Sequence, residues 1–113
     1  MGASQRRKGA VGEREASELI GRIFNTEASR NARNGVDRAE DIAHRVAGLF
    51  CEVKRVERLN VPAAMEKARV DADGRIPTLW HRRNRGEWLL TIRAEDLPVL
   101  IELYRAHTEA RGV

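Results

Sequence analysis

The stretch Asp41-Ile42-Ala43-His44-Arg45-Val46-Ala47-Gly48-Leu49-Phe50-Cys51-Glu52-Val53-Lys54-Arg55-Val56 decides the fold of this chain. Two short apolar runs, 41–46 and 49–56, flank Ala47 and Gly48, which predicts two adjacent strands joined as a hairpin through a glycine turn. Side chains alternate along a strand, so Leu49, Cys51 and Val53 take one face and Phe50, Glu52 and Lys54 the other. A carboxylate and an ammonium two residues apart therefore share a face.

Towards the N-terminus, Ala16, Leu19, Ile20, Ile23 and Phe24 recur at three- and four-residue spacing and predict a helix over 9–24 with one apolar stripe. At about 100° per residue, Glu13 projects between Ile20 and Phe24, so an acid lies on the core-facing stripe and needs a partner there. Glu15 falls with Glu18 and Arg22 on the solvated side. Residues 25–40, rich in Asn, Arg, Ala and Gly, accommodate one short irregular strand within a loop. Beyond the central strands, Asn60 and Pro62 mark a helix start, Ala64, Met65, Ala68 and Ala72 a small-residue face, and Gly74 a stop. Strands over 78–81 and 88–92 flank the basic turn Arg82-Arg83-Asn84-Arg85-Gly86. A last helix from about Asp96 and Pro98 is expected to turn Leu97, Leu100, Ile101 and Tyr104 inward. The result is an α/β domain over 8–113, in the order α-β-β-β-α-β-β-α with a mixed central sheet flanked by helices. A flexible basic arm over 1–7 is expected to precede it.

The chain has 113 residues, 42% hydrophobic and 34% charged, which is one small domain and too little for a two-domain enzyme. No run approaches the roughly 18 consecutive apolar residues of a membrane span, and the first residues lack the apolar block of a secretion signal, so the expected address is cytosolic. Cys51 is the single cysteine, which excludes an internal disulfide and a thiolate zinc cluster. His44, His81 and His107 lack the close pairing of a compact histidine metal motif. The formal charge is +4, and of the cations only Lys8, Lys54 and Lys67 are lysine; the rest are arginine. Arginine's planar fork grips phosphate oxygens two at a time, so the composition leans towards nucleic acid.

Four residues carry the chemistry: Glu13 on the first helix, Asp41 opening a strand, and Glu52 with Lys54 on the next. A Glu-x-Lys pair alone is a weak signal, because opposite charges often alternate on a solvated strand face. The coincidence of all four gives it weight. If the strands pair as a hairpin, Asp41 and Glu52 approach each other and Glu13 descends on them. Clustered, partly desolvated carboxylates must take up protons or bind a cation, and oxygen ligands suit Mg²⁺ or Mn²⁺. A divalent ion between Asp41, Glu52 and a phosphate oxygen activates water, while Lys54 steadies the charge that grows on phosphorus. The expected reaction is phosphodiester hydrolysis.

This pattern resembles the PD-(D/E)XK nuclease superfamily, and within it the archaeal-type and phage Holliday junction resolvases. Arg7-Lys8-Gly9-Ala10-Val11-Gly12-Glu13-Arg14-Glu15 is similar to that family's opening helix motif, Asp41-Ile42-Ala43 to its strand-opening acid, and Cys51-Glu52-Val53-Lys54 to its Glu-x-Lys strand. Asp37 is the competing acid, less attractive because Arg38 and Ala39 follow it. Similar phage sequences tend to carry Gln where Lys67 stands, so no catalytic role passes to Lys67. The resemblance implies a restriction-endonuclease-like core, Glu13, Asp41, Glu52 and Lys54 as catalytic residues, and the three acids as ligands of Mg²⁺. It further implies a homodimer that nicks four-way DNA junctions on opposing strands. Flaps, nicks or duplex are alternative DNA targets, and a non-catalytic DNA-binding accessory protein is the alternative class. Arg6, Arg7, Lys8, Arg55, Arg82, Arg83 and Arg85 are the expected DNA-binding residues. Trp80, Trp88, Leu100 and Tyr104 are a candidate dimer seam.

Overall fold

Helix α1 (Ala3–Phe24) follows the apolar stripe. Gly12, Glu13, Ala16, Ser17, Ile20 and Phe24 are buried along it, whereas Ile23 points outward. The helix begins inside the stretch expected to be an arm. The computed structural model describes residues 3–31 and 40–110, with side chains over 8–31 and 40–109. Asp37 and the side chains of Arg6 and Arg7 lie outside the described residues. After α1 come β1 (Ala28–Arg30), β2 (Ile42–His44), β3 (Leu49–Arg55), α2 (Val61–Ala72), β4 (Ile76–Arg82), β5 (Leu89–Ile92), a single 3₁₀ turn and α3 (Leu97–Ala110). The element order matches the sequence expectation.

The main sheet has the order β3-β4-β5, parallel between β3 and β4 and antiparallel between β4 and β5. The parallel crossover through α2 is short because its helix is capped at both ends. Asn60 Oδ1 accepts from Ala63 N at 3.1 Å, and Asp73 and Gly74 take left-handed φ values of 49° and 89°. Ala64, Ala68 and Ala72 then let α2 lie against Phe50.

The expected β2–β3 hairpin is corrected. Strand β2 pairs antiparallel with β1 in a separate two-stranded sheet, and no ladder joins it to β3. One backbone bond crosses, from Asp41 N to Cys51 O at 3.2 Å, and Leu49 N closes the intervening turn onto Val46 O at 3.3 Å. The outward amides of β3 are met by side chains: Cys51 N donates to Glu40 Oε2 at 2.7 Å and Val53 N to Asp41 Oδ2 at 2.8 Å. Two carboxylates thus replace a strand at this edge.

The alternation along β3 sorts the molecule into layers. Leu49, Cys51 and Val53 join Ala16, Ile20 and Phe24 of α1 with Ile42, Val46 and Trp80, and Leu100 and Leu103 of α3 pack on this cluster. Phe50, Glu52 and Lys54 face α2. The last helix shows a different inner face from the one expected. Leu97 and Ile101 are exposed, while Leu100, as expected, turns inward together with Leu103 and Thr108; Tyr104, 39% exposed, still sets its ring edge-on to Phe24 at 5.6 Å. Trp80 is 2% exposed and its Nε1 donates to Thr78 Oγ1 at 2.8 Å, so it belongs to the core and is removed from any dimer seam. Among the described residues, no helix is long and apolar enough to cross a membrane.

Gly12 is where α1 closes on the sheet. A Cβ there would stand 2.8 Å from Arg55 Cβ, whereas at Gly9 it would meet nothing within 4 Å. Helix propensity alone favours Ala over Gly by about 1 kcal/mol. Gly9→Ala is therefore expected to stabilise, and Gly12→Ala to destabilise by on the order of 1–3 kcal/mol through overpacking. Urea unfolding checks both; a gain at Gly12 would contradict this helix–sheet contact.

Candidate active site

Glu52 sits in the middle of β3, 1% exposed, with its side chain on the α2 face. Its two oxygens differ. Oε2 accepts from Lys67 Nζ at 3.2 Å and lies 3.7 Å from Lys54 Nζ, whereas Oε1 is buried and has no hydrogen-bond partner among the described residues. Burial raises the Glu52 carboxyl above its ordinary range and the charge of Asp41 raises it further, against the opposing pull of Lys67 and Lys54. Asp41 belongs to the same neighbourhood because its Oδ2 is held by Val53 N, the amide next to Glu52. Lys54 is part-exposed at the strand end, beside His81 in the β3–β4 register. Asp41, Glu52 and Lys54 are thus brought together at one edge.

Glu13 is buried, as its place on the stripe predicts, and its partner is a cation. Arg30 Nε donates to Glu13 Oε1 at 2.7 Å. Helix α1 covers the opposite face of β3 from Glu52, and the three acids do not share one coordination sphere. Among the described residues, the group of three or more His, Cys, Asp and Glu residues whose ligand atoms all lie within 4.8 Å of one another is Glu40, His44 and Cys51. Glu13, Asp41 and Glu52, expected to share one ion, do not form such a group: the charge of Asp41 is felt at Glu52, and Glu13 is set apart with its arginine.

The Glu40, His44 and Cys51 group is better described as a hydrogen-bond hub than as a metal centre. His44 Nδ1 accepts from Val46 N at 3.0 Å, so Nε2 carries the hydrogen and donates to Glu40 Oε2 at 2.6 Å. Glu40 Oε1 accepts from Arg75 Nη1 at 3.1 Å. Burial pushes the Cys51 thiol far above its ordinary value. Glu52 Oε1, by contrast, is a buried carboxyl oxygen with no hydrogen-bond partner among the described residues, and the charge of Asp41 is felt at its carboxyl.

Two further residues belong to this neighbourhood. Lys67, to which the family resemblance passes no catalytic role, bridges Glu52 and Asp71 Oδ2, the latter at 2.9 Å. Partial burial works against its ammonium, but Asp71 and Glu52 outweigh that and hold it above the ordinary lysine range. Glu15, assigned to the solvated side, is half-buried and takes Arg82 Nη1 at 3.2 Å and Arg55 Nε at 3.9 Å. Lys8 Nζ stands 3.9 Å from Glu57. Arg83 and Arg85 are exposed, with no ion pair among the described residues. With His81, Arg82, Glu57 and Leu89 they line a groove of about 670 Å³ beside the C-terminal ends of the parallel strands. Comparison with protein-family models, curated proteins and solved structures found no match to this chain.

Because Glu52's folded value is raised, its contribution to stability is complete below the ordinary carboxyl range and is lost as pH rises through the raised value. At neutral pH and in chelator, Glu52 ionisation therefore opposes folding. Glu52→Gln is expected to raise the urea midpoint at pH 7 and to shrink the gain the native protein shows on mild acidification. An unchanged midpoint would place the carboxylate in solvent.

Proposed function

We propose that this chain is a divalent-metal-dependent DNA endonuclease of the PD-(D/E)XK kind, with a restriction-endonuclease-like core, and that its substrate is the four-way junction. The observation that carries the reading is the buried Glu52 carboxyl, whose Oε1 has no hydrogen-bond partner among the described residues and which feels the charge of Asp41, on the strand that presents Lys54 two residues later. Bound there, Mg²⁺ or Mn²⁺ supplies Lewis acidity towards a phosphate oxygen and activates water. The chain's own residues do the rest. Asp41 is fixed by the Val53 amide, so its carboxylate is preorganised at the strand edge. Lys54 has its stem on the sheet and its ammonium in partial contact with solvent, where it neutralises charge developing on the phosphoryl oxygens. Glu13 acts by positioning: it fixes Arg30, which lies opposite Ile42 in the β1–β2 ladder.

The groove lined by Arg82, Arg83 and Arg85 opens on the same end of the parallel strands and suits a phosphate backbone. Paired nicks on opposing strands require two active sites and hence a second copy of the chain. The exposed edge strand β5 and the outward Leu97, Val99 and Ile101 of α3 are the apolar surfaces available to it. The reaction takes place in the cytosol on this reading.

Purified protein with a labelled junction and Mg²⁺ is expected to nick it, and chelator or Glu52→Ala to stop it. Lys54→Ala is expected to slow nicking by on the order of 100-fold or more while gel-shift affinity stays within about twofold. Equal rates on junction and matched duplex would remove the junction preference and favour a flap, nick or duplex nuclease. Binding without cutting under all conditions would leave a DNA-binding accessory protein. Arg83→Ala and Arg85→Ala are each expected to reduce the slope of log affinity against log salt by about 1. Unchanged slopes would move the phosphate path off this groove.

A further inference from the structure

We infer that Lys67 limits this site to one divalent ion by holding its own ammonium where a second would bind. The inference rests on the proposed role of Asp41 and Glu52 as ligands and concerns how many ions they can share. Lys67 Nζ is 3.2 Å from Glu52 Oε2 and 2.9 Å from Asp71 Oδ2, so one cation already bridges two carboxylates from different elements. Asp71 and Lys67 are one helical turn apart on α2, which fixes that half of the bridge. The alanine face of α2 brings the helix close enough to β3 for the same ammonium to reach Glu52.

The two sides of Glu52 are therefore chemically unequal. Oε1 is buried and has no hydrogen-bond partner among the described residues, so no ammonium of those residues neutralises it. Oε2 is within 4 Å of two ammonium groups, Lys67 and Lys54, and a doubly charged ion there would meet both. Removing Lys67 does more than relieve repulsion. It frees Asp71, which is half-buried, to act with Glu52 Oε2 as a second pair of oxygen ligands. Lys67 is a positioning residue here; its side chain is 56% exposed, so exchanging it leaves the core packing intact.

The test is Mn²⁺ titration of the full chain without DNA, by calorimetry and by electron paramagnetic resonance, where two adjacent Mn²⁺ ions broaden each other's signal. One ion per chain is expected for the native protein and for Lys67→Arg, two for Lys67→Gln, and one again for Lys67→Gln combined with Asp71→Asn. Two ions on the native protein, or one on Lys67→Gln, would overturn the inference while leaving the metal site in place. No ion on the native protein would overturn the metal site itself and the inference with it.

Discussion

Strand β3 has two edges, and they are satisfied by different chemistry. One forms the parallel ladder with β4; on the other, the amides of Cys51 and Val53 donate to the side chains of Glu40 and Asp41. A buried amide left unpaired costs roughly 1–3 kcal/mol, so this capping is a strong constraint on where the two acids can be. It pins consecutive carboxylates against the strand that carries Glu52 and Lys54. Asp41 comes near Glu52 because it is tied to the amide of the adjacent residue. The Glu40 hub, with His44 and Arg75 as further donors, fixes the peptide immediately before Asp41.

The same strand separates the acids that the sequence pattern groups together. Alternation sends Cys51 and Val53 towards α1 and Glu52 towards α2, so an acid on α1 cannot meet Glu52 through the sheet. Glu13 accordingly finds its counter-charge locally in Arg30. Asp41 lies at the rim between the two faces, and any chemistry that joins them runs around this edge. That explains why the charge of Asp41 is felt by Glu52 while the three carboxylates do not share one coordination sphere.

Local patterns made the element order legible. The α1 stripe, the Asn60 cap with the alanine face of α2, and the alternation in β3 are each written within a dozen or so residues. Glu13's burial and the shared face of Glu52 and Lys54 were legible for the same reason. What was not legible depended on partners distant in sequence. The β2–β3 hairpin was the natural reading of Ala47–Gly48, but β1, three residues without a strand signature, takes the pairing instead. In α3, Leu97, Val99, Leu100, Ile101, Leu103 and Tyr104 put apolar residues on most sides of the helix, so periodicity could not choose the inner face. For Lys67 and Glu40 no local pattern names a partner, and each is claimed by a neighbouring element.

The cations around the site are also less free than their number suggests. Arg82 and Arg55 both lean on Glu15, Arg82 stacks over the Trp88 ring at 5.9 Å, and Lys8 approaches Glu57. A phosphate reaching this groove must displace carboxylates before it gains those guanidinium contacts, which discounts their net worth. Arg83 and Arg85, exposed on the β4–β5 turn, form no ion pair among the described residues, although Glu57 and Glu87 line the same groove. The fold thus separates cations that hold its own elements together from cations available to a partner, and the turn that presents the second set opens at the C-terminal end of the strands that carry Lys54.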